Sequence, residues 1–448
     1  MNQNITGTSI PTRLIYGILA LILPLINVAQ TRQGDSTLQE VTLKAAIEYS
    51  IKHQPSIQQA IIDEKLTDAA IRNKLADWYP QVNFNYNLQH NFITQTSIIG
   101  GNPVKLGVDN SSAGQVTASQ SIFNKDVLLA KRTSTDVRLQ ASQSTSRARI
   151  NLAAEVSKAF YDILATTQQI KVADANIFRI ERSLKDASNQ YKAGVADKID
   201  YKRATINLNN ARASKRSNEE LLKAKTEKLR ALMSYPVSAA MNIIYDSLQM
   251  EKEMVLDTFQ VPDYKARVEY KLLETQMRLL KANVLYNKWS YLPTVSANGA
   301  YNLNFQNNNF IKLYNANYPN AFAAITLTVP VFQGGKRKIN LETAQWQLKK
   351  NEQDIIKLKD AVNSEYDQAL AAYKSNLANY QALKENIALA KEVYDVVQLQ
   401  YRSGIKTYLE VITSETDLRT AQINYYNALF QVLSSKIDVL RALAQINY

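Results

Sequence analysis

The sequence predicts a mainly α-helical chain with a small β part, in which a long helical hairpin is duplicated within 448 residues. The first observation is a repeated tip: residues 190–201 read QYKAGVADKIDY, and residues 400–411 read QYRSGIKTYLEV. The glycines of these tips, Gly194 and Gly404, lie 210 residues apart, each in a long tract that otherwise lacks glycine and proline. The second observation is one segment in each half where apolar and polar residues alternate, as they do in strands.

The first 29 residues are predicted to be a signal peptide, which would place the mature chain outside the cytoplasm. Arg13 precedes an apolar run from Leu14 to Val28, and Ala29 is a suitable last residue. This run is short for a spanning helix, although an uncleaved N-terminal anchor remains the alternative. After residues 1–29 we expect a first structural repeat at 30–235, an inter-repeat segment at 236–265 and a second structural repeat at 266–448.

Each repeat is expected to contain a helix, two strands joined by a loop, a long helix, a tip and a return helix. The first helix covers residues 41–77, with Pro55 either kinking it or starting a new helix. The long helices cover about 125–193 and 336–403, and each is about 100 Å long at 1.5 Å per residue.

The tips carry the signals of a helix end followed by a helix start. A lone glycine, Gly194 or Gly404, predicts a C-terminal cap where the chain turns back. Asp197 or Thr407 then predicts the N-cap of the return helix, with an acidic residue three positions later.

Apolar residues recur every seven positions before each tip. They are Val156, Ile163, Ile170, Ile177, Leu184 and Tyr191 in the first copy, and Tyr366, Tyr373, Tyr380, Ile387, Tyr394 and Tyr401 in the second. A sustained heptad predicts a left-handed coiled coil, whereas either set alone also fits an ordinary helix core. Since both copies keep the same frame, the sequence favours a duplicated coiled coil.

The strands have one apolar and one polar face. In the first copy Val82, Phe84, Tyr86 and Leu88 alternate with Asn83, Asn85, Asn87 and Gln89, and the return strand runs through 116–122. In the second copy Val295, Ala297, Gly299, Tyr301, Leu303 and Phe305 alternate with Ser296, Asn298, Ala300, Asn302, Asn304 and Gln306, and the return strand runs through 323–331. Loops are expected at about 96–112 and 307–319.

Four such strands predict a shared membrane barrel. An open sheet cannot span a bilayer, small barrels begin at about eight strands, and three chains supply twelve, so a homotrimer in contact with lipid is expected. Aromatic residues flank the strands, as they do at bilayer interfaces: Trp78, Tyr79, Phe123, Trp289, Tyr291 and Phe332. The alternative is a two-faced soluble sheet.

Composition excludes several classes of function. The formal charge of +13 is dispersed and comes with no nucleic-acid motif, so no nucleic-acid partner is expected. The chain has no cysteine and only His53 and His90 as histidines, so no metal site or cofactor is expected. No catalytic set of residues appears, and we predict that the protein is not an enzyme.

At this point the sequence resembles the TolC-like outer membrane efflux protein family. The resemblance rests on the duplicated layout, on Tyr-Leu-Pro at 291–293 with Trp-Tyr-Pro at 78–80, and on the two tips. It implies a homotrimer in the cell outer membrane, with a twelve-stranded transmembrane β-barrel continuous with a periplasmic α-barrel. It also implies two partners, a periplasmic membrane-fusion adaptor protein and an inner-membrane transporter.

The resemblance also implies a gate at the periplasmic tip. Asp200 falls on the family's gating aspartate, Tyr401 on its gating tyrosine and Lys406 on its gating basic residue. Glu410 falls on a first acidic ring, but Thr413 replaces the aspartate of the second, which weakens the expectation of cation selectivity. The competing interpretation is that the acids at the tips only cap helices.

The expected function is therefore a passive, gated conduit of a tripartite efflux or export system. The alternative is a periplasmic coiled-coil scaffold or adaptor protein without a channel, although such a protein would not need the alternating strands. The resemblance leaves the cargo open among drugs, metal ions, siderophores and proteins.

Overall fold

The helices and strands occur in the predicted order in both halves of the chain. The computed structural model describes residue 38 and residues 40–194, 197–245 and 247–448. The predicted signal peptide, residues 1–29, lies outside the described residues. The mainly α-helical fold with a small β part is confirmed.

The first half contains four helices and four strands among its described residues. They are α1 (Leu43–His53), α2 (Pro55–Ala76), β1 (Gln81–His90), β2 (Gln95–Ile99), β3 (Asn102–Leu106), β4 (Asn110–Phe123), α3 (Lys125–Lys192) and α4 (Lys198–Met233). The predicted helix at 41–77 is interrupted at Gln54, and Pro55 occupies the first turn of α2, where a missing N–H costs nothing.

The second half repeats this layout without the extra hairpin. Its elements are α5 (Ser247–Glu253), α6 (Val268–Trp289), β5 (Thr294–Asn307), a 3₁₀ helix (Phe310–Asn315), β6 (Asn320–Thr328), α7 (Lys336–Arg402) and α8 (Tyr408–Ala442). The two long helices, α3 and α7, contain 68 and 67 residues and are each about 100 Å long.

The first loop was predicted incompletely, because residues 96–112 contain regular structure. Strands β2 and β3 pair as an antiparallel hairpin, and Asn110 already belongs to β4. The turn of this hairpin has positive φ at Gly100 (61°) and Gly101 (83°), a backbone that favours glycine at both positions.

Four strands form one antiparallel sheet in the order β1-β4-β5-β6. The register places Phe84 opposite Val116, and Val116 opposite Tyr301. It also places Val295 opposite Leu327. Residues directly opposite share a face, so the apolar sets of the two copies lie on one side and the amides on the other. The predicted faces are confirmed.

The helical core lies midway along the long helices, where α3 packs between α4 and α8. Phe160 and Ile163 of α3 and Leu429 and Leu433 of α8 are almost completely buried there. Towards the tips the hairpins narrow to smaller clusters, one of which contains Ile180 of α3 with Leu208 and Ala211 of α4.

Within residue 38 and the ranges 40–194, 197–245 and 247–448, no helix is both long enough and apolar enough to cross a membrane.

Candidate functional site at the hairpin tips

The two tips turn in the same way, as their shared sequence predicts. Gly194 has φ 71° and Gly404 has φ 76°, the left-handed backbone of a helix C-terminal cap. In the second tip the N–H of Gly404 donates to the carbonyl of Tyr401 (3.0 Å), and the N–H of Ile405 donates to that of Gln400 (2.9 Å). These two bonds form a Schellman motif, which satisfies carbonyls that the helix end leaves free.

The start of α8 is held by a compact set of bonds around Glu410. The backbone N–H of Thr407 donates to Glu410 Oε2 at 2.9 Å, and Lys406 Nζ donates to Glu410 Oε1 at 2.6 Å. The Lys406 ammonium, followed by the Thr407 N–H, lowers the pKa of Glu410 to about 2. Lys406 and Glu410 are therefore joined to each other in one turn of a single chain.

The first tip has a simpler cap. Asp197 accepts from the N–H of Ile199 at 3.1 Å, as a helix N-cap does. Asp200 is half-buried in the first turn of α4, and its carboxylate is close enough to add to burial in raising the pKa of Tyr401. Among the candidate gate residues, Asp200 and Tyr401 are thus brought together from different hairpins.

Tyr401 joins the two hairpins near their ends. Its hydroxyl donates to Gln190 Oε1 of α3 at 3.0 Å, and its side chain is only 7% exposed. Its ring lies 5.7 Å from that of Tyr408, and both pack with Ala204 of α4. Gln190 was missed by sequence reasoning, because nothing along the chain relates a glutamine on α3 to a tyrosine on α7.

A second contact between hairpins lies about two turns into α8, and the sequence did not predict it. Glu415 of α8 is 2% exposed, and its Oε1 lies 3.6 Å from Nε of Arg179 on α3. Burial raises the pKa of Glu415 to about 7, although Arg179 and Arg419 act in the opposite direction. A carboxyl is rarely buried without a partner. The partner of Glu415 lies on another helix, so the sequence around Glu415 did not indicate that it would be buried.

The expected interface aromatics lie at the junctions of the sheet with the helices and differ in exposure. Tyr79 and Phe332 are 69% and 86% exposed, Trp78 and Tyr291 are partly exposed, and Phe123 and Trp289 are half-buried. The guanidinium of Arg337 lies 4.8 Å from the ring centre of Tyr291, so a cation and an aromatic ring share this junction.

The sheet presents large apolar side chains to its surroundings. Val82, Phe84, Tyr301, Ile325 and Leu327 are 50–76% exposed on one face. The opposite face carries amides, among which Asn302 hydrogen-bonds to Asn320 and Asn298 Nδ2 donates to Thr326 Oγ1 at 3.2 Å. Strands β1, β4, β5 and β6 contain no Asp, Glu, Lys or Arg.

Known proteins are similar to this chain in sequence and in fold. The family model described as "Outer membrane efflux protein" matches residues 46–234 and 273–445. The outer membrane protein OprJ of Pseudomonas aeruginosa is 22% identical, over 92% of this chain and 86% of its own. The antibiotic efflux pump outer membrane protein ArpC of Pseudomonas putida is 20% identical, over 93% and 86%. The CmeC outer membrane channel of Campylobacter jejuni, 13% identical, has a TM-score of 0.72 and covers 99% of this chain, which covers 94% of it.

Proposed function

The chain belongs to the outer membrane efflux protein family, and from this premise we propose that three copies close one barrel and one helical tunnel. The protein is an outer membrane efflux channel that extends into the periplasm, and the alternative of a scaffold or adaptor without a channel is not supported. Its relatives are conduits, and in a conduit the chemistry lies in the wall and the gate rather than in a catalytic centre.

The observation that carries the trimer is the sheet with two open edges. Strands β1 and β6 each pair on one side only, and their residues are exposed along their whole length. Open edges with a large apolar face are unfavourable in water and cannot exist alone in lipid. Pairing β6 of one copy with β1 of the next removes every edge and gives twelve strands, with the apolar faces towards lipid and the amides towards a water-filled lumen.

Other proteins supply the energy for transport and deliver the substrate to the channel. The relatives are named as outer membrane components of efflux pumps, among them an antibiotic pump. A periplasmic adaptor and an inner-membrane transporter are therefore the partners that this channel requires, and the six tips of a trimer are the part that meets them.

The gate is proposed at the tips, with Asp200, Tyr401, Lys406 and Glu410 as its residues. The support is geometric: Tyr401 and Gln190 bind one hairpin to the other within a few residues of both turns. The lysine and glutamate already pair within one chain. Their contribution to closure is therefore to fix the shape of the second tip, whereas Tyr401, with Asp200 nearby, bonds one hairpin to the other.

The channel is tested by its conductance and by the two faces of its sheet. Purified from outer membranes in detergent, the protein is expected to be trimeric and to conduct ions in planar bilayers. Phe84→Arg, on the apolar face, is expected to reduce barrel stability by about 2–4 kcal/mol. Asn85→Arg, on the lumen face, is expected to leave stability unchanged and to shift the reversal potential towards anions. Equal damage from both, or a monomer soluble without detergent, would overturn the proposal.

The gate is tested by removing the Tyr401 hydroxyl together with the Asp200 carboxylate. Tyr401→Phe combined with Asp200→Ala is expected to raise single-channel conductance severalfold without lowering the melting temperature of the trimer. Tyr408→Phe is the matched control, because the buried Tyr408 hydroxyl has no hydrogen-bond partner among the described residues. If the double variant conducts no better than the control, these residues serve the helix ends and the gate lies elsewhere.

A further inference from the structure

Glu415 occupies a position that a simple structural role does not explain. It lies five residues after Glu410 on α8, but it points into the packing between the two hairpins, where it is 2% exposed. Its Oε1 has no hydrogen-bond partner among the described residues, and the nearest cation, Nε of Arg179, is 3.6 Å away. A buried carboxylate that lacks close hydrogen bonds is costly, so the charge state of this group affects the packing around it.

The groups facing Glu415 come from each of the helices packed there. From α3 comes Arg179, whose side chain is 21% exposed and whose guanidinium lies 5.7 Å from the ring centre of Tyr394 on α7. From α8 itself come Arg419 and Tyr408. From α4, Asp200 acts on Tyr408, so a second acid lies in the same cluster. Both cations favour the ionised carboxylate, and burial opposes them.

We propose that Glu415 is a proton-operated latch between the two hairpins: the protonated carboxyl stays buried and keeps the hairpins packed, and loss of the proton favours their separation. The inference rests on the proposed gate and adds its regulation. When the hairpins separate, water reaches the carboxylate and removes the cost of its charge. Arg179 then remains near enough to the surface to stay hydrated.

The direction of the effect follows from proton linkage. In the packed arrangement the pKa of Glu415 is raised to about 7, whereas a hydrated glutamate has its ordinary value of 4.5. The packed state therefore binds the proton more tightly. Its advantage is fully present below pH 4.5 and is lost as the pH rises through 7. The difference between these two pKa values limits the effect of the proton on the equilibrium between packed and separated hairpins to about 300-fold.

The test uses the full protein and measures hairpin separation without relying on conduction. The chain has no cysteine, so Ser183→Cys places a single thiol on α3, at a site that is 2% exposed. Its rate of reaction with a maleimide is compared, at each pH from 5 to 9, with the rate in the same protein carrying Glu415→Gln. The rate in the protein with Glu415 is divided by the rate in the Glu415→Gln protein, and this ratio cancels the thiol's own pH dependence.

The ratio is expected to be lowest at pH 5, to rise at least tenfold by pH 9, and to reach half of its final value near pH 7. Arg179→Gln removes a cation that favours the ionised form, so it is expected to move this midpoint to higher pH. Asp417→Asn is the control, because that carboxyl lies on the same helix but is exposed, and it should leave the ratio unchanged.

A ratio that stays near one at every pH overturns the latch, whatever the channel conducts. A midpoint that Arg179→Gln leaves unmoved, or that Asp417→Asn moves equally, also overturns it. Conductance in planar bilayers is recorded on the same samples: absence of conductance with a pH-dependent ratio rejects the channel and keeps the latch, so the two proposals fail separately.

Discussion

The two long hairpins have the same heptad spacing but use it for different contacts. In the first copy the positions in the middle of the helix carry Val156, Ile163 and Ile170. In the second, the corresponding positions 210 residues later carry Tyr366, Tyr373 and Tyr380. Val156 and Ile163 pack into the core between α3 and its neighbours, and Ile170 is half-buried. The tyrosines are buried and also place a hydroxyl at the end of each ring.

Those hydroxyls hold the segment that joins the two repeats, which we call the strap (residues 250–260). Tyr366 donates to the carbonyl of Gln260, and Tyr373 donates to that of Met254 at 2.7 Å. Tyr380 lies 3.2 Å, oxygen to oxygen, from Tyr425, which donates in turn to Glu251. The strap therefore runs antiparallel to α7 and is attached to it about every two turns.

The two copies therefore keep the same spacing but use it for different contacts. A seven-residue repeat guarantees that successive side chains lie along one stripe of a helix. In α3 that stripe meets other helices. In α7 it meets the strap, which is irregular after helix α5 ends at Glu253 and whose carbonyls need hydrogen-bond donors when they are buried. Tyrosine supplies both a large apolar ring and such a donor.

The largest effect should come from removing one of these rings. Tyr373→Ala leaves a cavity where a side chain was 2% exposed, and it is expected to cost about 3–5 kcal/mol in the free energy of unfolding. Ile163→Val, at the corresponding position of the first copy, is the control and should cost about 0.5–1.5 kcal/mol. Denaturant titration in detergent measures both, and equal costs would mean that the two stripes are used alike.

A smaller effect should come from the hydroxyl alone. Tyr373→Phe keeps the ring but leaves the buried carbonyl of Met254 without its donor, a loss of about 1–3 kcal/mol. The change should also release the strap locally, so a protease should cut between 250 and 260 faster than in the unchanged protein. The Ile163 side chain carries no hydrogen-bonding group, so Ile163→Val should leave the cleavage rate as it was.

Much of the fold was predictable because its signals are local. The tip glycines, the alternating strands and the helix limits near residues 192 and 402 each follow from a few neighbouring residues. Gly100-Gly101 was also a sufficient signal for the β2–β3 hairpin, although it was interpreted as part of a loop. Of the candidate gate, the Lys406–Glu410 pair is local too, because the two side chains are four residues apart.

The contacts that sequence reasoning missed all join distant parts of the chain. Gln190 with Tyr401, Arg179 with Glu415, and the strap with the tyrosines of α7 are each separated by more than a hundred residues. The heptad indicated that the tyrosines share a stripe, and it predicted a coiled coil there. It did not indicate what covers the stripe, because a hydroxyl and a carbonyl pair through the packing of whole helices.

A third test compares the backbone strain at the two tips. Gly404→Ala places a side chain at φ 76°, where nothing lies within 4 Å, so its cost comes from backbone strain alone. That cost is expected to be about 1–2 kcal/mol. Gly194→Ala has the same backbone and the same open space, so it should cost the same. A thermal melt of the two variants side by side checks this, and a clear difference would mean that the tips are not equivalent turns.

The smallest effect concerns the acid at the start of each return helix. The pKa of Glu410 is lowered to about 2, so its stabilisation of the second tip is present above pH 4.5 and is lost as the pH falls through 2. Pepsin is active in acid, and the Glu410→Gln variant accounts for pepsin's own pH dependence. Below pH 4 the rate at which pepsin cuts the second tip, divided by its rate on this variant, should therefore rise as the pH falls. Among the described residues, the first tip has a single cap bond to a carboxylate, from the Ile199 N–H to Asp197, so it should be less sensitive to acid than the second. If both tips become sensitive at the same pH, the capping of Glu410 by Thr407 and Lys406 is not what distinguishes them.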